Sequence, residues 1–157
     1  MRRKKPRPGR TRHGATRLDH YRQIHDRVMR GHIASGFVLH DGVRFHPPED
    51  GHIAVRGQIR CEGGLNIHVD KKLKIVSGKG PTAKVQTVEY HYNVFTRVGN
   101  VFRYDSPHED HREHHHVHRF NEEGDETHVH DIYDVNEVPT LGDVIKEVQE
   151  HYEAPLL

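Results

Sequence analysis

Histidine is concentrated in one short segment of the chain. Six of the eighteen histidines fall in the run HEDHREHHHVH, residues 108–118, which directly follows the residues FRYDSP. Imidazole titrates near neutral pH, transfers protons and binds transition metals, so this segment combines chemistry that a folding core does not require. It is therefore the main candidate for a functional site. The alternative is a solvated loop rich in His, Asp and Glu, which would bind stray metal without a role in catalysis.

An arginine and an aspartate precede the run on a predicted hairpin. If residues 84–105 form an antiparallel hairpin, Arg103 and Asp105 share one face of the sheet and Tyr104 points to the other. His91 on the opposite arm is expected to face Arg103 or its neighbour. Arginine holds a phosphate through its planar fork, while two histidines act as base and acid, which predicts cleavage of RNA without a metal. The partner of His91 would be one of His114, His115, His116 and His118.

Two histidines of the run also have the spacing of metal ligands. His116 and His118 share a face if their segment is extended, and two imidazoles on one face can bind one ion. Asp105 and His108 could complete such a site for a divalent metal such as zinc. The leading hypothesis, acid–base cleavage of RNA, requires no cofactor.

Strands dominate the middle of the chain and are predicted to position these residues. Residues 37–46 indicate a strand pair or a bent strand around Asp41-Gly42, a dipeptide suited to a type I′ turn. Residues 52–61 and 65–76 form the next two strands, and Val98-Gly99-Asn100 closes the hairpin. The clearest strand spans residues 83–95. It alternates Val85, Thr87, Glu89, His91 and Asn93 on one side against Gln86, Val88, Tyr90, Tyr92 and Val94 on the other.

Helices are predicted at both ends of this strand region. The first begins near Thr16 or Asp19, either of which could cap it, and carries an apolar stripe that ends at Gly31. Residues 121–128 are expected to form a mobile connection, followed by an extended piece at residues 129–135 and a closing helix at residues 140–152. The pattern predicts an α+β fold with a curved antiparallel sheet, an N-terminal helix and a C-terminal helix. Its domain organisation would be a disordered basic arm (1–16), a single domain (17–152) and a C-terminal tail (153–157).

Composition limits the location and the partners. Hydrophobic residues make up 32% of the 157 residues and there is no Trp, so we expect one modest core. The single Cys61 cannot form an internal disulfide, which favours a reducing, cytoplasmic location, and no segment is apolar enough to span a membrane. Residues 1–17 contain eight Lys or Arg and no acid. Either this segment makes electrostatic contact with nucleic acid or with an acidic partner, or it is a solubilising tail.

Four sequence elements occur in a fixed order from Tyr90 onward. They are YHY at 90–92, FRYDSPH at 102–108, HHVH at 115–118 and PTLGDVIKEV at 139–148. In order and approximate spacing they resemble the TumE-type toxin family, whose members carry similar Tyr-His-Tyr, Phe-Arg-Tyr-Asp-x-x-Pro-His and His-His-x-His elements and a closing Pro-Thr-Leu helix. The resemblance covers roughly residues 50 to 150.

The resemblance implies a toxin of a type II toxin–antitoxin pair. Such proteins are encoded beside a minimal-nucleotidyltransferase-like antitoxin protein, and RNA is their expected target. The family commonly has a second histidine where this chain has Glu109, and His111 could substitute as a ligand. The metal-ligand candidates are then His108, His111, His116 and His118. By position, the resemblance implicates His91, Arg103, Tyr104, Asp105, His108, His116 and His118.

The leading hypothesis is thus a cytoplasmic toxin that acts on RNA through a His/Arg/Tyr-rich site and is held inactive by its antitoxin. The alternative is a non-enzymatic metal- or nucleic-acid-binding module, or a subunit of a larger assembly. The sequence leaves the oligomeric state open.

Overall fold

The computed structural model describes residues 14–107 and 114–153. Within these ranges the chain forms an open sheet of nine strands and two helices, and every strand pairing is antiparallel. The predicted α+β class, with one helix before the main strands and one after them, is confirmed. The helices are α1 (Leu18–Ala34) and α2 (Leu141–Glu153). The strands are β1 (Thr16–Arg17), β2 (Val38–Asp41), β3 (Arg44–Phe45), β4 (His52–Cys61), β5 (Asn66–Ser77), β6 (Lys84–Phe95), β7 (Asn100–Asp105), β8 (His115–Phe120) and β9 (Glu126–Ile132).

The sheet follows the chain order almost throughout. Its strand order is β2-β4-β5-β6-β7-β8-β9, with β1 paired to β6 and β3 paired to β4. Residues 62–64, 80–82 and 135–137 form short 3₁₀ turns between the elements. Neither helix of the described ranges is long and apolar enough to cross a membrane.

Both helices pack on one face of the sheet. On α1, Tyr21 Oη lies 3.4 Å from the Thr87 hydroxyl and accepts a hydrogen bond from Lys71 at 3.0 Å. On α2, Glu147 accepts a hydrogen bond from Tyr104 Oη at 2.6 Å. The core between them is apolar, and each fully buried Ile or Leu side chain stabilises the fold by about 1.5–3 kcal/mol. The largest fully buried apolar side chains in it are Ile53, Ile59, Ile67, Leu73 and Ile145.

Helix α1 differs from its prediction at both ends. Its N-cap is Arg17, with no side-chain capping bond, whereas Thr16 or Asp19 was expected to cap the helix. Thr16 instead pairs with β6, and Asp19 in the first turn holds the Arg17 side chain. The helix continues through Gly31 to Ala34, because a single glycine costs a helix only about 1 kcal/mol and does not end it.

Helix α2 begins as its sequence indicates. The Thr140 hydroxyl accepts a hydrogen bond from Asp143 N–H, and the Asp143 carboxylate accepts one from Thr140 N–H. This reciprocal capping box satisfies two backbone donors that the first helical turn leaves unpaired. The buried stripe of α2 consists of Leu141, Val144, Ile145 and Val148.

Strand β6 contains an irregularity that the alternation pattern missed. Lys72 pairs with Glu89 but Leu73 pairs with Thr87, so Val88 is an extra residue in β6. Such a bulge reverses the phase of the alternation beyond it. Val85 therefore faces the core together with Tyr90, although they were predicted on opposite sides. From Tyr90 to Val94 the predicted alternation holds.

Residues 37–46 form a bent strand, one of the two predicted alternatives, and not a hairpin. Strands β2 and β3 both pair with β4, so no type I′ turn forms at Asp41-Gly42. Gly42 N–H donates to Gln58, and a Cβ on Gly57 would lie 2.1 Å from the Gly42 carbonyl oxygen. The chain turns here because two glycines allow the backbones to approach closely.

The acidic connection is shorter than expected. Asn121 and Asp125 exchange hydrogen bonds across a turn, and β9 already begins at Glu126, within the segment predicted to be a mobile connection. Residues 1–13 of the predicted basic arm and residues 154–157 of the predicted tail lie outside the described residues.

Candidate functional site

Two rows of polar side chains cross β6, β7 and β8 on the sheet face opposite the helices. The hairpin between β6 and β7 forms as predicted, and β8 joins β7 in an antiparallel register. Residues in register on adjacent strands point to the same face, so each row brings its members together. The first row is His91, Asp105 and His116, and the second is Asn93, Arg103 and His118.

Asp105 is the centre of this arrangement, and its side chain is only 3% exposed. Oδ1 accepts a hydrogen bond from His91 Nδ1 at 2.7 Å, and Oδ2 accepts one from Arg103 Nε at 2.9 Å. The Nε2 atoms of His118 and His116 lie 3.2 Å and 3.4 Å from Oδ2. We call these five residues the Asp105 cluster. The hydrogen bonds from His91 and Arg103 compensate the buried carboxylate of Asp105, which would otherwise be costly to remove from water.

The hydrogen bonds of the cluster shift two pKa values in opposite directions. Burial alone would raise the pKa of the Asp105 carboxyl, but the His91 hydrogen bond and the Arg103 charge lower it to about 2. The hydrogen bond to Asp105 raises the pKa of His91 above its ordinary value, although burial of the ring opposes this. Asp105 is thus ionised at neutral pH and holds His91 in a defined orientation.

The other two histidines of the cluster are oriented by groups behind them. His116 Nδ1 lies 3.0 Å from the carbonyl oxygen of His114, and His118 Nδ1 contacts the Glu126 carboxylate. A carbonyl or carboxylate can only accept, so Nδ1 carries the proton and Nε2 points at Asp105. The side chains of His116 and His118 are 0% and 5% exposed. Both rings therefore sit beneath the surface, where substrate cannot reach them directly.

A polar groove of about 370 Å³ opens beside His91 on the same face of the sheet. The first row continues into it, because Asp70 is in register with His91, and Arg56 with Asp70. Arg56 donates to Asp70 at 3.1 Å in an exposed ion pair. His91 is 34% exposed and so links the buried carboxylate to the groove. The polar groove is lined by His46, His52, Arg56, Asp70, Lys72, Glu89 and His91, among others.

Tyr104 is a predicted site residue that the structure places elsewhere. It points to the helix side of the sheet, where its hydroxyl donates to Glu147, and burial raises its pKa. His115 also faces that side and stacks on Tyr90, with 2.7 Å between its Nδ1 and the tyrosine hydroxyl. His114 is exposed and contacts Tyr133. None of the three belongs to the Asp105 cluster.

The candidate ligands His108 and His111 lie outside the described residues. Among the residues that the structure does describe, Asp105, His116 and His118 form one group whose ligand atoms all lie within 4.8 Å of one another. These three buried side chains could hold a metal ion. The aspartate and the two histidines of the predicted metal site are therefore together.

Several residues around the cluster were missed by sequence reasoning. His46 and His52 had no distinguishing context in the sequence, and Arg56 and Asp70 are ordinary charged residues of two strands. Glu126 lay in a segment predicted to be a connection. No local signal marks these positions. They reach the site through the register of β4, β5 and β9, and His46 reaches it through the pairing of β3 with β4.

Comparison with known proteins found no match to this chain among protein-family models, curated proteins or solved structures.

Proposed function

We propose that this protein cleaves RNA by acid–base chemistry at the Asp105 cluster, with His91 as the group that transfers the proton. The observation that carries the proposal is the 2.7 Å hydrogen bond from His91 Nδ1 to a buried carboxylate, at the end of a polar groove. A histidine held by a carboxylate and reaching a groove is the arrangement used for general base catalysis on several folds. Asp105 is a positioning residue in this account.

The hydrogen bond fixes which nitrogen of His91 can act. Because Nδ1 donates to the carboxylate of Asp105, Nε2 is the proton-accepting nitrogen of the neutral ring. Asp105 also stabilises the imidazolium that forms after proton transfer. The raised pKa of His91 has the same cause.

The proposed substrate class rests on Arg103 and His91. Arg103 is 37% exposed and reaches the surface of the cluster. The groove is lined by Arg56 and Lys72 but also by Glu49, Asp50, Asp70 and Glu89, so Arg103 rather than the groove is the proposed phosphate contact. A phosphate with a proton to lose beside it fits Arg103 and His91, and RNA has that proton on the 2′-hydroxyl.

In the proposed step, His91 removes the 2′-hydroxyl proton while the 2′-oxygen forms a bond to phosphorus. The bond from phosphorus to the 5′-oxygen breaks, and that oxygen takes a proton from the imidazolium or from water. The products are a 2′,3′-cyclic phosphate and a 5′-hydroxyl end. Arg103 offsets the charge that develops on the phosphate oxygens.

The biological setting is proposed from the resemblance to the TumE-type toxin family. In that setting the chain is a cytoplasmic toxin of a type II toxin–antitoxin pair, and a minimal-nucleotidyltransferase-like antitoxin holds it inactive. The elements that carry the resemblance coincide with the cluster, since YHY supplies His91, FRYDSPH supplies Arg103 and Asp105, and HHVH supplies His116 and His118. The motifs that carry the resemblance and the geometry of the cluster therefore point to the same residues.

Induction in a bacterial host tests the proposal. Wild type, His91→Ala and His130→Ala are expressed at matched levels while growth and total RNA integrity are followed. His130 is the control because it is exposed on β9 and does not belong to the cluster. We expect growth arrest with RNA loss for wild type and His130→Ala, and normal growth for His91→Ala. Equal growth and intact RNA in all three would count against the proposal.

A further inference from the structure

Three ligand-type atoms converge inside the Asp105 cluster. Asp105 Oδ2 lies 3.2 Å from His118 Nε2 and 3.4 Å from His116 Nε2, and all three side chains are buried. Ligands at 2.0–2.1 Å from a tetrahedral zinc ion are about 3.3 Å from one another. We infer that Asp105, His116 and His118 form a binding site for a divalent transition-metal ion of the zinc class.

The groups behind these side chains support a metal site. Each histidine uses Nδ1 for a second contact, His116 to the His114 carbonyl and His118 to the Glu126 carboxylate, so that Nε2 points inward. Ligating histidines in metal sites are oriented in this way, by a carbonyl or carboxylate on the other ring nitrogen. Asp105 is held likewise, because Oδ1 accepts from His91 while Oδ2 points at the two imidazoles.

The ligand set also selects the kind of ion. Two imidazoles and one carboxylate suit zinc and its neighbours, whereas calcium and magnesium prefer oxygen ligands. Three protein ligands leave the fourth position of a tetrahedral ion for water.

Arg103 competes with a metal for the same atoms. Its Nε donates to Asp105 Oδ2 at 2.9 Å, and its Nη2 donates to His118 Nε2 at 3.1 Å. The guanidinium and a dication cannot both use these lone pairs, and their charges repel. Arg103 is 37% exposed, so it can move to the surface when an ion binds. Metal binding then releases Arg103, which can move towards an RNA phosphate. This movement towards RNA rests on the proposed function, but the metal site itself does not.

Cobalt(II) and zinc binding to the full chain, stripped of metal by a chelator, test the site. Tetrahedral cobalt gives an intense visible absorption that octahedral cobalt lacks, so it reports the ligand geometry. We expect this absorption, displaced by zinc, in wild type and its loss in His118→Gln. It should persist when the exposed histidine pair on β9 is removed by His128→Ala and His130→Ala, whose rings lie 4.5 Å apart. The opposite pattern, loss in the β9 variant and persistence in His118→Gln, would overturn the inference.

Arg103→Gln provides a second measurement that does not depend on removing a buried histidine. Because the guanidinium competes for two ligand atoms, its loss should tighten zinc binding about tenfold in calorimetry. Circular dichroism establishes whether each variant is folded. Unchanged or weaker zinc binding by folded Arg103→Gln would also overturn the inference. Since no step measures RNA cleavage, a failure here is distinguishable from a failure of the proposed function.

Discussion

The ion pair between Arg103 and Asp105 gives the most direct prediction of stability. Asp105 is 3% exposed and Arg103 is 37% exposed, with 2.9 Å between Nε and Oδ2. A charge-assisted hydrogen bond contributes about 1.5–3 kcal/mol, and an exposed ion pair about 0.2–1 kcal/mol. Because the carboxylate is buried but the guanidinium is partly solvated, we expect a coupling free energy of about 2 kcal/mol.

A double-mutant cycle measures this coupling. The free energy of unfolding is determined by urea denaturation, with a chelator present, for wild type, Arg103→Gln, Asp105→Asn and the double variant. The exposed pair of Arg56 and Asp70 provides a matched control, since it joins the same residue types at 3.1 Å with both side chains solvated. Its cycle should give less than about 1 kcal/mol.

The cycle can contradict the account in two ways. A coupling below about 0.5 kcal/mol would mean that the effects of changing Arg103 and Asp105 simply add, as they do for distant residues. Equal coupling in the buried and the exposed pair would mean that burial of Asp105 does not strengthen the contact. Either result would remove the electrostatic argument for the cluster.

Two further predictions concern parts of the fold away from the cluster. Gly57→Ala should lower the midpoint of thermal unfolding strongly or prevent folding, because its Cβ would lie 2.1 Å from the Gly42 carbonyl oxygen. Gly31→Ala in α1 is the control, since its Cβ meets nothing within 4 Å. It should stabilise the protein by about 0.5–1 kcal/mol. Burial alone would raise the pKa of Asp41, but the hydrogen bond from His25 lowers it below 3.8. Its contribution to stability is present above pH 3.8 and is lost as the pH falls through the folded pKa. Denaturation curves measured from neutral to acidic pH should therefore decline less steeply for Asp41→Asn than for wild type, and equal slopes would contradict this.

The part of the site that lies on β6, β7 and β8 was predictable because its signals are local. Val98-Gly99-Asn100 marks the turn of the hairpin, and alternation of side chains then places Arg103 and Asp105 on one face. The same period of two predicted a shared face for His116 and His118, whose ring centroids are 5.0 Å apart.

The depth of burial and the distant neighbours were not predictable from the sequence. A period of two gives the face of a side chain but not its exposure, so nothing indicated that His116 would be fully buried. The register in which β4 pairs with β5, and β5 with β6, is set by contacts between residues far apart in sequence. This register alone brings Arg56 and Asp70 to His91. The bulge at Val88 adds one residue to a strand whose sequence shows uninterrupted alternation.

His91 is proposed to remove a 2′-hydroxyl proton from RNA. The most direct measurement uses purified full chain, treated with a chelator, and two oligonucleotides that differ only in one 2′-hydroxyl group. Wild type should cleave the RNA next to that group, leave a 2′,3′-cyclic phosphate detectable by mass spectrometry, and fail to cleave the 2′-deoxy form. General base catalysis contributes about 10²–10⁴-fold, so His91→Gln should be at least about a hundredfold slower, with His130→Ala unchanged. Cleavage of the 2′-deoxy oligonucleotide, or equal rates for wild type and His91→Gln, would contradict the account.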